Sequence, residues 1–181
     1  MKSKIFLFSL VLLIIAGCTR TVTPVETIID TQPNRLLVSS FESGGNADID
    51  NWVSPGPPIV KFSNDVPING GKFSIFLKAR SLGAFVTKEV NAPQGNKNYR
   101  LIFWSKSTQD PGSLVIYHKV GDKRTRIESK YIDSKEWTSY TLNFNINSAV
   151  DDKILIELGG SNFASPQGYT FFDLIDLQIV E

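Results

Sequence analysis

From residue 36 onward the chain is a succession of short apolar segments of period two, each closed by turn chemistry, and none of it sustains a helical period. Strand-like segments fall at 36–41, 60–62, 72–79, 84–90, 99–105, 113–120, 124–132, 137–145, 153–158 and 169–180. Between them stand Pro55-Gly56-Pro57-Pro58, Asn69-Gly70-Gly71, Pro93-Gln94-Gly95-Asn96, Asp110-Pro111-Gly112, Gly121-Asp122 and Ser165-Pro166-Gln167-Gly168. Such residues end strands because proline lacks a donor and glycine or asparagine accepts positive φ. Alternation is cleanest where Tyr140, Leu142 and Phe144 take one face and Thr141, Asn143 and Asn145 the other. The pattern predicts an all-β chain with one sandwich, large enough to bury a core without disulfides.

The first residues have a different character. Lys2 and Lys4 precede an almost unbroken apolar run from Ile5 to Ala16, shorter than the roughly 20 residues that span a bilayer as a helix. The run ends in Ile15-Ala16-Gly17-Cys18, which resembles the lipobox of bacterial lipoproteins. That resemblance implies cleavage before Cys18 and acylation of its thiol; the alternative is an ordinary secretory signal with a coincidental cysteine. Cys18 is the only cysteine, so it has no partner for an internal disulfide. The expected organisation is a signal peptide at 1–17, a lipidated cysteine and Thr/Pro-rich tether at 18–34, and a β-sandwich at 35–181. Thr19 rather than Asp follows the cysteine. The sorting rule of enterobacterial lipoproteins then implies outer-membrane delivery within the bacterial cell envelope. The full chain has 19 basic and 18 acidic residues, and loss of Lys2 and Lys4 leaves a formal net charge of −1. That balance points to no nucleic acid and no polybasic membrane contact; the membrane is reached through the lipid anchor.

Two strand-like stretches, 36–52 and 169–180, each carry a carboxylate among apolar neighbours, Glu42 and Asp173. If the first and last strands lie side by side, the two carboxylates approach and repel, and a shared cation is a simple remedy. The alternative pairs Glu42 with Lys72 and leaves Asp173 solvated.

The order of motifs is more specific than any one of them. Phe41-Glu42-Ser43-Gly44, Trp52, Gly70-Gly71-Lys72-Phe73-Ser74-Ile75, the strand from Tyr99 through Phe103-Trp104 to Lys106, Trp137-Thr138-Ser139-Tyr140, and Phe172-Asp173 near the end follow one another. This succession resembles the carbohydrate-binding modules of families 4, 9 and 22, which are galactose-binding-like jelly rolls. It departs from them in having Val38-Ser39 where Asn-Gly is usual, and Leu174 where a second acid often follows. The resemblance implies a jelly-roll β-sandwich and glycan binding. It also implies a structural calcium held by Glu42, Asp173 and backbone carbonyls near Gly44 and Lys72.

Aromatic rings are the candidate sugar platforms, since a flat ring packs on the C–H face of a pyranose while polar neighbours bond its hydroxyls. Trp104 and Tyr117 form the expected platform, with Arg126, Glu128 and Asn143 as hydrogen-bonding neighbours; the other possibility makes Trp104 part of the core. Trp52 and Trp137 are expected to be packing residues. Enzyme chemistry finds little purchase, with one histidine, His118, and no nucleophile elbow or phosphate loop. Asp151-Asp152 reads as a solvated turn. The expectation is a lipid-anchored, non-catalytic glycan-binding protein, and the alternative is a structural or assembly lipoprotein that docks a protein partner.

Overall fold

Alternation along stretches such as 99–107 and 142–148 gives each one apolar side, and two stacked sheets bury those sides against each other. The computed structural model describes residues 34–54, 60–78, 85–160 and 167–181; the expected signal peptide, Cys18 and the tether to residue 33 lie outside these. Twelve strands are β1 (Arg35–Ser39), β2 (Glu42–Ser43), β3 (Asn46–Ala47), β4 (Val60–Ser63), β5 (Ser74–Lys78), β6 (Phe85–Asn91), β7 (Gly95–Ser107), β8 (Gly112–Val120), β9 (Lys123–Ile132), β10 (Thr138–Ser148), β11 (Lys153–Gly159) and β12 (Tyr169–Val180). One sheet runs β10-β7-β12-β5-β4, with β1 also paired to β12, and the other runs β6-β11-β8-β9. Pairing is antiparallel throughout.

The core lies between the sheets. Leu101, Phe103, Leu142, Phe144, Phe172 and Leu177 face Leu114, Ile116, Ile154, Ile156 and Leu158 in one buried cluster. Each such side chain contributes roughly 1.5–3 kcal/mol when fully buried. Trp52 closes one edge of this core, buried, with its indole N–H donated to Ser39 Oγ at 3.0 Å.

Strand β12 serves two neighbours in turn. Its first residues pair with β5 and its later ones with β1. Between them the register to β7 slips, from Asp173 to Asp176, and Leu174 takes φ 48°. This bulge is where the first and last strands meet.

Two differences from the sequence reading have local causes. Strand β7 starts at Gly95 rather than Tyr99, because Gly95 to Asn98 stay in register with Ser148 to Asn145 of β10. The β2–β3 hairpin was not anticipated. It turns on Gly44 and Gly45, both at positive φ (57° and 77°), where a side chain would be strained.

Candidate functional site

Two places concentrate chemistry. At the bulge, Asp173 is fully buried. Its Oδ1 accepts the Leu174 N–H at 2.7 Å, while Oδ2 has no hydrogen-bond partner among the described residues. Burial pushes this carboxyl up to about 7, and the nearby Glu42 carboxylate pushes in the same direction. Glu42 is held by the loop that follows β4: its Oε2 accepts the Lys72 backbone N–H at 2.8 Å. This contact is to the Lys72 main-chain amide and not to its ammonium, and Asp173 is buried rather than solvated, so the alternative reading of the pair does not hold. Gly70 and Gly71 let this loop lie against both carboxylates. A Cβ at Gly71 (φ +73°) would sit 2.2 Å from Glu42 Oε1, and one at Gly70 would sit 2.6 Å from Asp173 Oδ2.

Among the described residues, no three His, Cys, Asp or Glu side chains gather as a metal cluster. A cation here would need backbone oxygens beside the two carboxylates. The Lys72 carbonyl accepts the Asn64 amide at 3.1 Å and keeps a second lone pair. Two carboxylates, one buried with an orphaned oxygen, against a glycine-lined backbone are a donor set that fits a hard oxygen-seeking ion.

The second place is the outer face of the four-stranded sheet. The pairing register sets its side chains in transverse rows. Glu157 of β11 stands between Thr87 and Val115; in the next row Leu155 lies between Glu89 and Tyr117, and Tyr117 opposes Arg126 of β9. In the row beyond Glu157 the middle position is Gly159, so the floor drops there. A cleft of about 260 Å³ results, lined among others by Ser113, Tyr117, Arg126, Tyr131 and Glu157. The Arg124 guanidinium lies over the Tyr117 ring, 5.5 Å from its centroid. Arg124 Nη1 is also 3.7 Å from Glu157 Oε2. Burial raises the Glu157 carboxyl above its ordinary range, and Arg124 partly opposes that. Burial likewise raises the Tyr117 phenol.

The structure separates the residues expected to act together. Tyr117 and Arg126 share the cleft. Trp104 lies on β7 in the six-stranded sheet, opposite Ser139 and Asp173, with buried Phe103 and Ser105 on either side of it. It is therefore neither core nor a partner of Tyr117, but a half-buried residue on the outer side of the other sheet. Asn143 is exposed on β10 of that same sheet, opposite Arg100. Glu128 is in register with buried Ile116, because a bulge between Ile116 and Tyr117 shifts β9 by one residue, and its Oε1 accepts the Ser129 N–H. A one-residue slip moves a side chain to the opposite face, so Glu128 does not line the cleft. Glu157 was missed by the sequence reading; the signal was a lone carboxylate inside the apolar run Ile154-Leu155-Ile156-Glu157-Leu158. His118 is a structural residue, with Nε2 at 2.8 Å from Asp152 Oδ2, which also caps the Ala149 N–H.

No family model matches the chain, and no curated protein matches it. Solved structures do. The CBM22-1 xylan-binding domain of Xyn10C from Paenibacillus barcinonensis is similar at TM-score 0.58 and 15% identity, over 82% of this chain and 96% of that one. A family 16 carbohydrate-binding module is similar at TM-score 0.54 and 22% identity, over 78% and 99%. The C-terminal CBM6 of the laminarinase LamC from Zobellia galactanivorans is similar at TM-score 0.52 and 13% identity, over 80% and 99%. At these identities the likeness concerns the fold. The chain has the jelly-roll β-sandwich of the carbohydrate-binding modules.

Proposed function

We propose that the protein is a non-catalytic glycan-binding module that seats a polysaccharide segment in the cleft over β8, β9 and β11. The observation that carries this reading is the convergence of Tyr117, Arg126 and Glu157 on one open, concave face. Tyr117 supplies a ring for the C–H face of a sugar. Glu157 accepts from hydroxyls and Arg126 donates to them, which is the polar surround that orients a pyranose. Modules of the same fold, one of them named as a xylan-binding domain, support the reading. A glycan array followed by calorimetry on the best hit tests it. Tyr117→Ala and Glu157→Gln should each abolish measurable binding while leaving the melting temperature within a few degrees. Undiminished affinity in both variants would place the site elsewhere.

Calcium belongs to the same reading as a structural ion. Glu42 and Asp173 would hold it, completed by carbonyl oxygens near Gly44 and Lys72. The bound ion supplies charge compensation for the two carboxylates. The chain's own part is to bring the β2–β3 hairpin, the Gly70-Gly71 loop and the kink of β12 together. Cys18 would carry the lipid that fixes the protein in the bacterial outer membrane. Cys18→Ser should move the protein out of the detergent-extracted membrane fraction or leave it as unprocessed precursor.

A further inference from the structure

The charges on the cleft face do not cancel. The outward rows of the four-stranded sheet bring together Lys119, Arg124, Arg126 and Lys153, against the two carboxylates of Glu89 and Glu157. Lys119 pairs with Glu89, and Arg124 faces Glu157. Lys153 turns to the Asn91 amide oxygen, a neutral partner. Arg126 is exposed and lines the cleft directly opposite Tyr117, and its guanidinium has no hydrogen-bond or ion-pair partner among the described residues. A neutral sugar would offer this guanidinium only hydroxyls. A carboxylate matches its planar fork with two parallel charge-assisted bonds, roughly twice as strong as neutral ones. Glu157 sits across the sheet on β11, so the field within the cleft favours a negative group at the β9 side and disfavours one at the β11 side.

Resting on the glycan-binding reading above, we infer that the ligand of this cleft is an acidic polysaccharide, a polyuronate or uronate-decorated chain, whose carboxylate is read by Arg126 beside the Tyr117 platform. A neutral stretch of the same chain lies toward Glu157.

The test compares each acidic polymer with its own carboxyl-reduced form, which keeps the backbone and removes the charge. The full chain is titrated with polygalacturonate and glucuronoxylan, their carboxyl-reduced counterparts, a neutral xylan and a dextran sulfate, which carries sulfates and no carboxylates. The native acidic polymer should bind about tenfold tighter than its reduced form, with the difference shrinking as salt rises. Arg126→Gln should erase that difference and leave the melting temperature unchanged, and Arg126→Lys should restore only part of it, because the charge returns without the fork. Equal binding of native and reduced polymers overturns the inference while the glycan reading stands. A preference for the sulfated polymer alone overturns the carboxylate assignment. If no polymer binds, acidic or neutral, the glycan reading itself fails and the inference falls with it.

Discussion

Trp137 donates its indole N–H to Asp65 Oδ1 at 2.9 Å, across 72 residues of chain. Lys106 takes the other oxygen of Asp65 at 2.5 Å and lies 5.3 Å from the ring centroids of both Trp137 and Phe171. Ser74 Oγ donates to the Asp65 carbonyl at 2.7 Å. Asp65 thus pins the start of the loop that carries Gly70 and Gly71 onto the two buried-site carboxylates. The expected packing role of Trp137 is realised here, with a polar component that its sequence position did not reveal.

Removing that pin should be felt at a distance. Asp65 is half-exposed, so Asp65→Ala is expected to cost only about 1 kcal/mol. Chemical denaturation measures this, and a calcium titration of the variant should show weaker coupling between ion and stability. Unchanged coupling would mean that the loop holds its place without Asp65.

Gly71 is the most demanding glycine at the acidic pair. An alanine there must adopt φ +73° and place its Cβ inside the Glu42 carboxylate. Gly71→Ala should cost about 2 kcal/mol or more, read as a lower denaturation midpoint. A neutral outcome would show that Glu42 is free to swing away.

Calcium should stabilise the protein. An ion that binds only the folded state adds about 2.7 kcal/mol at a hundredfold excess over Kd, or several degrees at about 2–4 °C per kcal/mol. Melts in millimolar calcium and in chelator measure the gap, and both Asp173→Asn and Glu42→Gln should narrow it. Identical wild-type melts would dismiss the ion.

In chelator, stability should depend on pH in an unusual direction. Asp173 keeps its proton to about pH 7 when folded, against 3.8 for an ordinary aspartate. Between those values the folded state binds more protons than the unfolded state, so stability falls as pH rises from about 4 to about 7. The loss is complete above the folded value. Asp173→Asn should flatten this part of the profile, and so should saturating calcium. A wild-type profile parallel to that of Asp173→Asn would remove Asp173 as the cause.

Trp104 provides the control for the cleft. It stands on the outer face of the opposite sheet, so Trp104→Ala should leave glycan affinity within twofold of wild type while Tyr117→Ala abolishes it. Calorimetry on the two variants side by side settles which aromatic matters, and a loss with Trp104→Ala would move the site to the six-stranded sheet.

The sequence by itself determined that the chain is a two-sheet sandwich. Period-two alternation at Leu101, Phe103, Leu142 and Phe144 is a local property, and burying such faces has few solutions. It also pointed to Glu42 and Asp173 as neighbours, because the strand-like stretches at the two ends of the folded part each carry one of them, and first and last strands do pair. It could not assign residues to one sheet or the other. Trp104 and Tyr117 both alternate outward, and only the crossing order β10-β7-β12 against β6-β11-β8 puts them on opposite sides of the molecule. Register decided the rest. A single bulge turned Glu128 away from the cleft and set Arg126 opposite Tyr117, and the row containing Gly159 opened the floor beside Glu157. A near-neutral total charge likewise concealed a locally basic face, because composition sums over the whole surface while a ligand meets only the side chains that strand pairing places together.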